Sequence, residues 1–143
     1  MFHTIKALNK IGKLVCEHGG SKTQMSADVH EKKILNIFQE CNVKLFDPCK
    51  GKCRENSAMF RNWFKSATGV DSKTNPRESY PIISRASHTF NYITAETPIV
   101  IHQPHGSQNF PDIILFKIEN DIIRTLYLEC KSPKPAFNNN PPK

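Results

Sequence analysis

The 143-residue sequence lacks the features of membrane and secreted proteins. No apolar run approaches the ~18 residues that a transmembrane helix needs, and the N-terminal residues do not resemble a signal peptide. The five cysteines are an odd number, which argues against a disulfide framework and for a reducing compartment. We therefore expect no association with a membrane and a cytoplasmic location, in a bacterium or, for a viral source, in the interior of the host cell.

Acidic residues are also scarce. The chain has 13 of them against 20 lysines and arginines, a net charge of +7. This excess favours anionic partners, nucleic acid first, although a generically basic protein has the same balance. Cys49 and Cys53 lack a second Cys/His pair at zinc-finger spacing, which argues against a zinc site.

The apolar residues that are present change their spacing once along the chain. Helical spacing predicts helices over residues 3–17, 29–41 and 56–67, with Gly69 ending the third. From Tyr80 the spacing is extended and predicts strands near 80–83, 89–93 and 98–102. We expect one α/β domain over residues 1–143, with a helical part of about 1–70 and a sheet of about 80–131.

Two further apolar runs, 113–116 and 126–128, predict a β-hairpin. With Asn120-Asp121 as the turn, Asp112 faces Glu129 across the two strands. Alternation along a strand puts Glu129 and Lys131 on one face. A turn one residue earlier keeps the two acids on the same face, whereas a bulge that flips one strand separates them.

Three charged groups at one end of an apolar hairpin suggest phosphoryl chemistry. Two facing carboxylates repel each other unless a divalent cation lies between them, and oxygen ligands suit Mg²⁺. Lys131 would stabilise the charge that develops on the phosphoryl group, and the Cys130 backbone carbonyl would be a further metal ligand. The alternative is a surface salt bridge between Glu129 and Lys131, which stabilises little.

The pattern Pro111-Asp112 followed by Glu129-Cys130-Lys131 resembles the signature of the PD-(D/E)xK nucleases. The preceding Gln-Pro-His-Gly-Ser-Gln-Asn-Phe segment, residues 103–110, resembles the region before the catalytic aspartate of certain type II restriction endonucleases. The Asn- and Pro-rich loop after Lys131 is similar to the segment after the catalytic lysine in those enzymes. The resemblance covers about residues 101–143.

The resemblance implies a restriction-endonuclease-like core, a mixed central β-sheet flanked by helices, that cuts double-stranded DNA with Mg²⁺. It implies that Asp112 and Glu129 bind the metal and that Lys131 is the catalytic lysine. Such folds often add a helix glutamate, for which Glu31 is the first candidate and Glu40 the second. Glu31 equally fits a capping box with Asp28.

Polar loops on both sides of the hairpin end supply side chains that hydrogen-bond base edges or phosphates. The candidates before the hairpin are Gln103, His105, Ser107, Gln108 and Asn109, and those after it are Lys134, Asn138, Asn139 and Asn140. His105 has two alternative interpretations, as a general base and as a plain loop residue. Basic segments at 50–54 and 73–85 are further candidate phosphate contacts.

A family member of this type is usually longer, so either the N-terminal half carries DNA recognition or the core is truncated at its C-terminus. By analogy we expect a homodimer on palindromic DNA and a cognate DNA methyltransferase encoded nearby. Two other functions fit the same residues. One is a non-catalytic basic DNA-binding module, and the other is a repair or recombination nuclease of the same fold.

Overall fold

The computed structural model describes residues 2–19, 27–84 and 98–131. The chain divides into two compact units, residues 1–42 with 130–143, and residues 43–129. The predicted strand at 89–93 lies outside the described residues, as do Lys134 and Asn138, Asn139 and Asn140. None of the described helices combines the length and apolar character needed to cross a bilayer.

The first unit contains two helices that contact each other, α1 (Phe2–Gly19) and α2 (Ala27–Glu40). The predicted helices over 3–17 and 29–41 are confirmed, with ends that differ by one or two residues. Ala7 of α1 and Phe38 of α2 are fully buried. On α2 the predicted apolar stripe packs inward, with Ile34 and Phe38 buried, whereas Ile5 of the predicted α1 stripe is exposed.

The second unit contains the helix α3 (Cys53–Thr68), which begins three residues earlier than predicted. Its buried face carries Phe60, Trp63, Phe64 and Ala67. Gly69 caps the C-terminus in the left-handed conformation, with a φ of 73°, and its N–H donates to the Lys65 carbonyl at 2.8 Å. The predicted end of this helix is confirmed, because glycine takes that conformation at the lowest cost.

Five strands of this unit form one mixed sheet: β1 (Lys44–Leu45), β2 (Ser79–Pro81), β3 (Ile99–His102), β4 (Ile113–Glu119) and β5 (Ile122–Leu128). Their order is β1-β3-β4-β5-β2, with β1 parallel to β3 and the other pairs antiparallel. A mixed α/β fold is confirmed, and a restriction-endonuclease-like core remains a prediction. α3 and the five strands belong to the same compact unit.

The core of this unit lies between α3 and one face of the sheet. Phe60 contacts Phe116 of β4, with ring centroids 5.5 Å apart, and Ile99, Ile101 and Ile114 complete the layer. On the opposite face of the sheet Val100, Ile113 and Leu115 are buried as well. Burial on both faces explains why central strand β4 is continuously apolar rather than alternating at its start.

Candidate functional site

The β4–β5 hairpin turns at Asn120 and Asp121. Their φ values are 50° and 60°, and Glu119 pairs with Ile122. Two positive φ values in a two-residue loop are the geometry of a type I′ turn, which Asn and Asp tolerate better than most residues. The predicted turn and strand register are confirmed.

The same register brings the two predicted metal ligands to one end of the hairpin. The last described pair is Ile113 with Leu128, so Asp112 and Glu129 are the next residues on the two strands. The Gln103 N–H donates to the Asp112 carbonyl at 2.7 Å, which extends the β3–β4 pairing to Asp112. Alternation then places both carboxyl residues on the sheet face that carries α3. Asp112 is half-buried and Glu129 is exposed.

A divalent cation fits this donor set, because Mg²⁺ uses one or two protein carboxylates and takes its other ligands from water and substrate phosphate. Within the described residues, no group of three or more His, Cys, Asp or Glu is arranged to hold a metal. The predicted ligands within the 43–129 unit are Asp112 and Glu129, and the Cys130 carbonyl stays a prediction. Cys130 and the exposed Lys131 follow directly, where the chain returns to the first unit.

Glu31 lies on α2 in the first unit and is half-buried, while Glu40 is exposed at the end of the same helix. The Asp28 side chain lies outside the described side chains. Both interpretations of Glu31, as a helix cap and as a catalytic acid, therefore stay predictions.

A second feature of the 43–129 unit is an open groove of about 560 Å³ between α3 and the 103–109 loop. All five predicted DNA-contact residues before the hairpin line it: Gln103, His105, Ser107, Gln108 and Asn109. From α3 the groove is lined by Arg54, Ser57 and Arg61, among others. Sequence reasoning singled out Arg54 but missed Ser57 and Arg61. Their spacing of three and seven residues from Arg54, one helix face, is the signal that finds them.

The loop side of the groove is held in place by hydrogen bonds. The Ser57 hydroxyl donates to the Gln103 carbonyl, which ties the loop to α3. Gly106, with a φ of 97°, turns the chain, and its N–H donates to the Gln103 carbonyl at 3.1 Å. The Asn109 side-chain amide donates to the His105 carbonyl at 2.8 Å. The exposed Ser107 and Gln108 are thus presented on a fixed loop.

His105 lies beneath the surface of this loop and is only 6% exposed. Its Nε2 is 3.2 Å from the Ser72 hydroxyl oxygen. Burial, reinforced by the positive charge of Arg61, lowers the pKa of His105 to about 4, so the ring is neutral at pH 7. Its burial and its bond to Ser72 favour the interpretation of His105 as a structural loop residue.

The groove's second arginine is fixed by an ion pair. Arg61 Nη2 lies 2.8 Å from Asp71 Oδ2. The Lys73 backbone N–H donates to the other carboxylate oxygen at 3.0 Å and, with Arg61, lowers the pKa of Asp71. A guanidinium has five N–H donors, so this pair leaves Arg61 able to bind a further anion.

Ser72 also links the groove loop to the hairpin. The Tyr127 hydroxyl donates to the Ser72 carbonyl at 3.4 Å and lies 3.1 Å from the Tyr80 hydroxyl. Burial raises the pKa of Tyr127, so its hydroxyl stays protonated. Tyr127 precedes Glu129 by two residues and shares its strand face, so these bonds hold the strand that leads to the carboxylate pair.

The basic segments predicted to contact phosphate are exposed where they are described. Lys50, Lys52 and Arg54 surround Gly51, and Lys73 and Arg77 lie on the loop before β2. The two thiols of this region have different neighbours. Cys49 Sγ lies 3.0 Å from Met59 Sδ, whereas Cys53 Sγ lies 3.8 Å from the Gly51 carbonyl. Arg85 lies outside the described residues.

No protein-family model matches this sequence, and neither the curated proteins nor the solved structures contain a significant match.

Proposed function

We propose that the protein is a Mg²⁺-dependent DNA endonuclease of restriction type, which hydrolyses phosphodiester bonds in double-stranded DNA. The observation that supports this proposal is the hairpin register, whose last pair is Ile113 with Leu128, so that Asp112 and Glu129 are the next residues on the two strands. A basic groove opens in the same unit. The resemblance of the Pro-Asp and Glu-Cys-Lys motifs points to the same chemistry.

In this proposal Asp112, Glu129 and the Cys130 carbonyl would hold Mg²⁺, and Glu31 would be the additional acid. When bound, Mg²⁺ polarises a phosphoryl oxygen and lowers the pKa of water. The carboxylates of Asp112 and Glu129 orient the attacking water by accepting its hydrogen bonds. The Lys131 ammonium stabilises the negative charge that grows on the phosphoryl group during in-line attack. Double-stranded DNA is the proposed substrate. In this proposal a homodimer of the protein recognises the DNA, and a cognate methyltransferase protects the DNA of the cell.

Cleavage of supercoiled plasmid in Mg²⁺, compared with EDTA, tests the proposal. We expect Asp112→Asn and Lys131→Ala to lower the cleavage rate by about 10²-fold or more, because each removes a group that stabilises the transition state. The matched control is Asp121→Asn, the same chemical change at the other end of the same hairpin, where Asn accepts the positive φ. Wild-type rates in the Asp112 and Lys131 variants would exclude the assignment.

The substrate range separates restriction from repair. Discrete fragments from duplex DNA indicate a restriction enzyme, whereas preferential cleavage of branched or single-stranded substrates indicates a repair or recombination nuclease. The groove favours a second candidate, a non-catalytic DNA-binding module. That function predicts salt-sensitive DNA binding that neither EDTA nor Asp112→Asn changes, without cleavage under any condition.

A further inference from the structure

The groove between α3 and the 103–109 loop combines two cations with polar loop tips. Arg54 lies in the first turn of α3 and Arg61 lies seven residues later on the same helix face, about 10 Å further along the axis. Neither aspartate nor glutamate is among the described residues that line the groove. The groove therefore presents positive charge without a carboxylate on its own walls.

The two arginines differ in how their charges are used within the protein. Arg61 is oriented by Asp71 at 2.8 Å. Arg54 is exposed and forms no ion pair with any residue that the structure describes. Similarly, the side chains of Ser107 and Gln108 make no hydrogen bond within the described ranges. Ser107 and Gln108 on the loop thus have unused hydrogen-bonding capacity, and the exposed Arg54 and the oriented Arg61 lie on the α3 side of the groove.

His105 gives the groove a rigid, uncharged floor. Its ring is buried, and its Nδ1 lacks a hydrogen-bond partner among the described residues. A buried polar atom of this kind carries a free-energy cost that a partner relieves. Because the ring is neutral near pH 7, the charge of the groove comes from the two arginines alone.

We infer that this groove binds the phosphodiester backbone of DNA, with Arg54 and Arg61 contacting two phosphates of one strand. With backbone positions about 10 Å apart along the axis of α3, the two long arginine side chains can each contact a different phosphate of one strand. Ser107 and Gln108 then reach from the loop toward the same strand. The inference takes its ligand class from the proposed function, but it assigns a separate binding surface whose contacts need no metal.

Salt-dependent binding of a fluorescent DNA duplex in EDTA, without Mg²⁺, tests the groove apart from catalysis. Each phosphate contact contributes about 0.9 to the slope of log K against log salt concentration for duplex DNA. We expect Arg54→Ala to lower the slope by about 0.9 and to weaken binding of unrelated duplexes equally. Arg61→Ala should weaken binding at least as much, because it also leaves the nearby Asp71 carboxylate without its ion-pair partner.

The matched control is Arg124→Ala, which removes another exposed arginine, from β5, where Arg124 pairs with Glu119 at 3.7 Å. This variant should keep the slope to within about 0.3, well below one phosphate contact. Arg61→Lys keeps the charge and checks that loss of binding is not loss of folding. A wild-type slope in Arg54→Ala, or an equal loss in Arg124→Ala, overturns the inference, as does tighter binding of an RNA duplex of the same sequence.

The experiment separates the failure of this inference from that of the proposed function. Binding through Arg54 and Arg61 by a protein that never cleaves DNA in Mg²⁺ supports the groove and overturns the nuclease proposal. Cleavage that Asp112→Asn abolishes, combined with wild-type binding by both arginine variants, supports the nuclease and overturns the groove.

Discussion

At the scale of single residues, His105 shows how burial changes what a side chain can do. The ring is held against Ser72, and its pKa is about 4 because burial disfavours the charged form. Between pH 4 and 6.5 the unfolded chain therefore binds a proton that the folded chain does not. The free energy of unfolding falls as the pH drops through 6.5, and this loss is complete near pH 4.

We predict that His105→Gln flattens this pH dependence. Both proteins are compared at pH 7 and at pH 4.5. Over this range the free energy of unfolding of the wild type should fall by on the order of 2 kcal/mol more than that of the variant. Urea unfolding at the two pH values measures the difference. Glutamine keeps a polar partner for Ser72. The prediction concerns the change in unfolding free energy between the two pH values, and a lower stability of the variant at pH 7 alone does not test it. An equal pH dependence in both proteins would contradict the assignment.

The position of a residue in the fold could be predicted from the sequence where one chain segment determines it, but not where it depends on the packing of two distant segments. The positions of Asp112 and Glu129 at one end of the hairpin could be predicted because they follow from one hairpin and its turn. Arg61 and the burial of His105 depend on the 103–109 loop packing against α3 and the Ser72 segment. His105 and Ser72 lie 33 residues apart, and local spacing carries no signal for that contact.

At the scale of elements, two glycines in helical surroundings should respond oppositely to the same substitution. Gly69 ends α3 with a φ of 73°, and an added Cβ would lie 2.8 Å from the Ile83 Cδ1 atom. Gly12 lies inside α1 with open space around its Cα. Alanine is therefore strained at position 69 and favoured at position 12.

We predict that Gly69→Ala lowers the free energy of unfolding by about 1–2 kcal/mol and that Gly12→Ala raises it by up to about 1 kcal/mol. Urea unfolding measures both changes by circular dichroism. The fluorescence of Trp63, the only tryptophan in the sequence, reports on the unit that contains α3. Two changes of the same sign would contradict the assigned helix end.

Element prediction succeeded in proportion to the length and periodicity of each segment. The three helices have clear periods, and the two seven-residue strands of the hairpin contain apolar runs on either side of a recognisable turn. β1 has only two residues and was not predicted, because its pairing with β3 comes from a segment more than 50 residues away in the chain. A two-residue strand has no period of its own.

At the scale of the whole molecule, the net charge of +7 and the two carboxylates at the hairpin end have opposite effects on the binding of a cation. The general excess of positive charge disfavours binding of any cation, whereas Asp112 and Glu129 concentrate two acids at one point of the sheet. Stabilisation of the folded state by Mg²⁺ therefore requires a local site rather than the general field. Asp112→Asn and Asp121→Asn alter net charge equally and distinguish the two effects.

We predict that 10 mM Mg²⁺ raises the melting temperature of the wild type and of Asp121→Asn, but not that of Asp112→Asn. With a dissociation constant of about 1 mM, the added stability is about 1.4 kcal/mol, or roughly 3–5 °C for a chain of this size. Thermal unfolding at an ionic strength matched with KCl measures the shift. A full shift in Asp112→Asn would place the cation elsewhere. A loss of the shift in both variants would show that net charge, and not the hairpin end, governs the response.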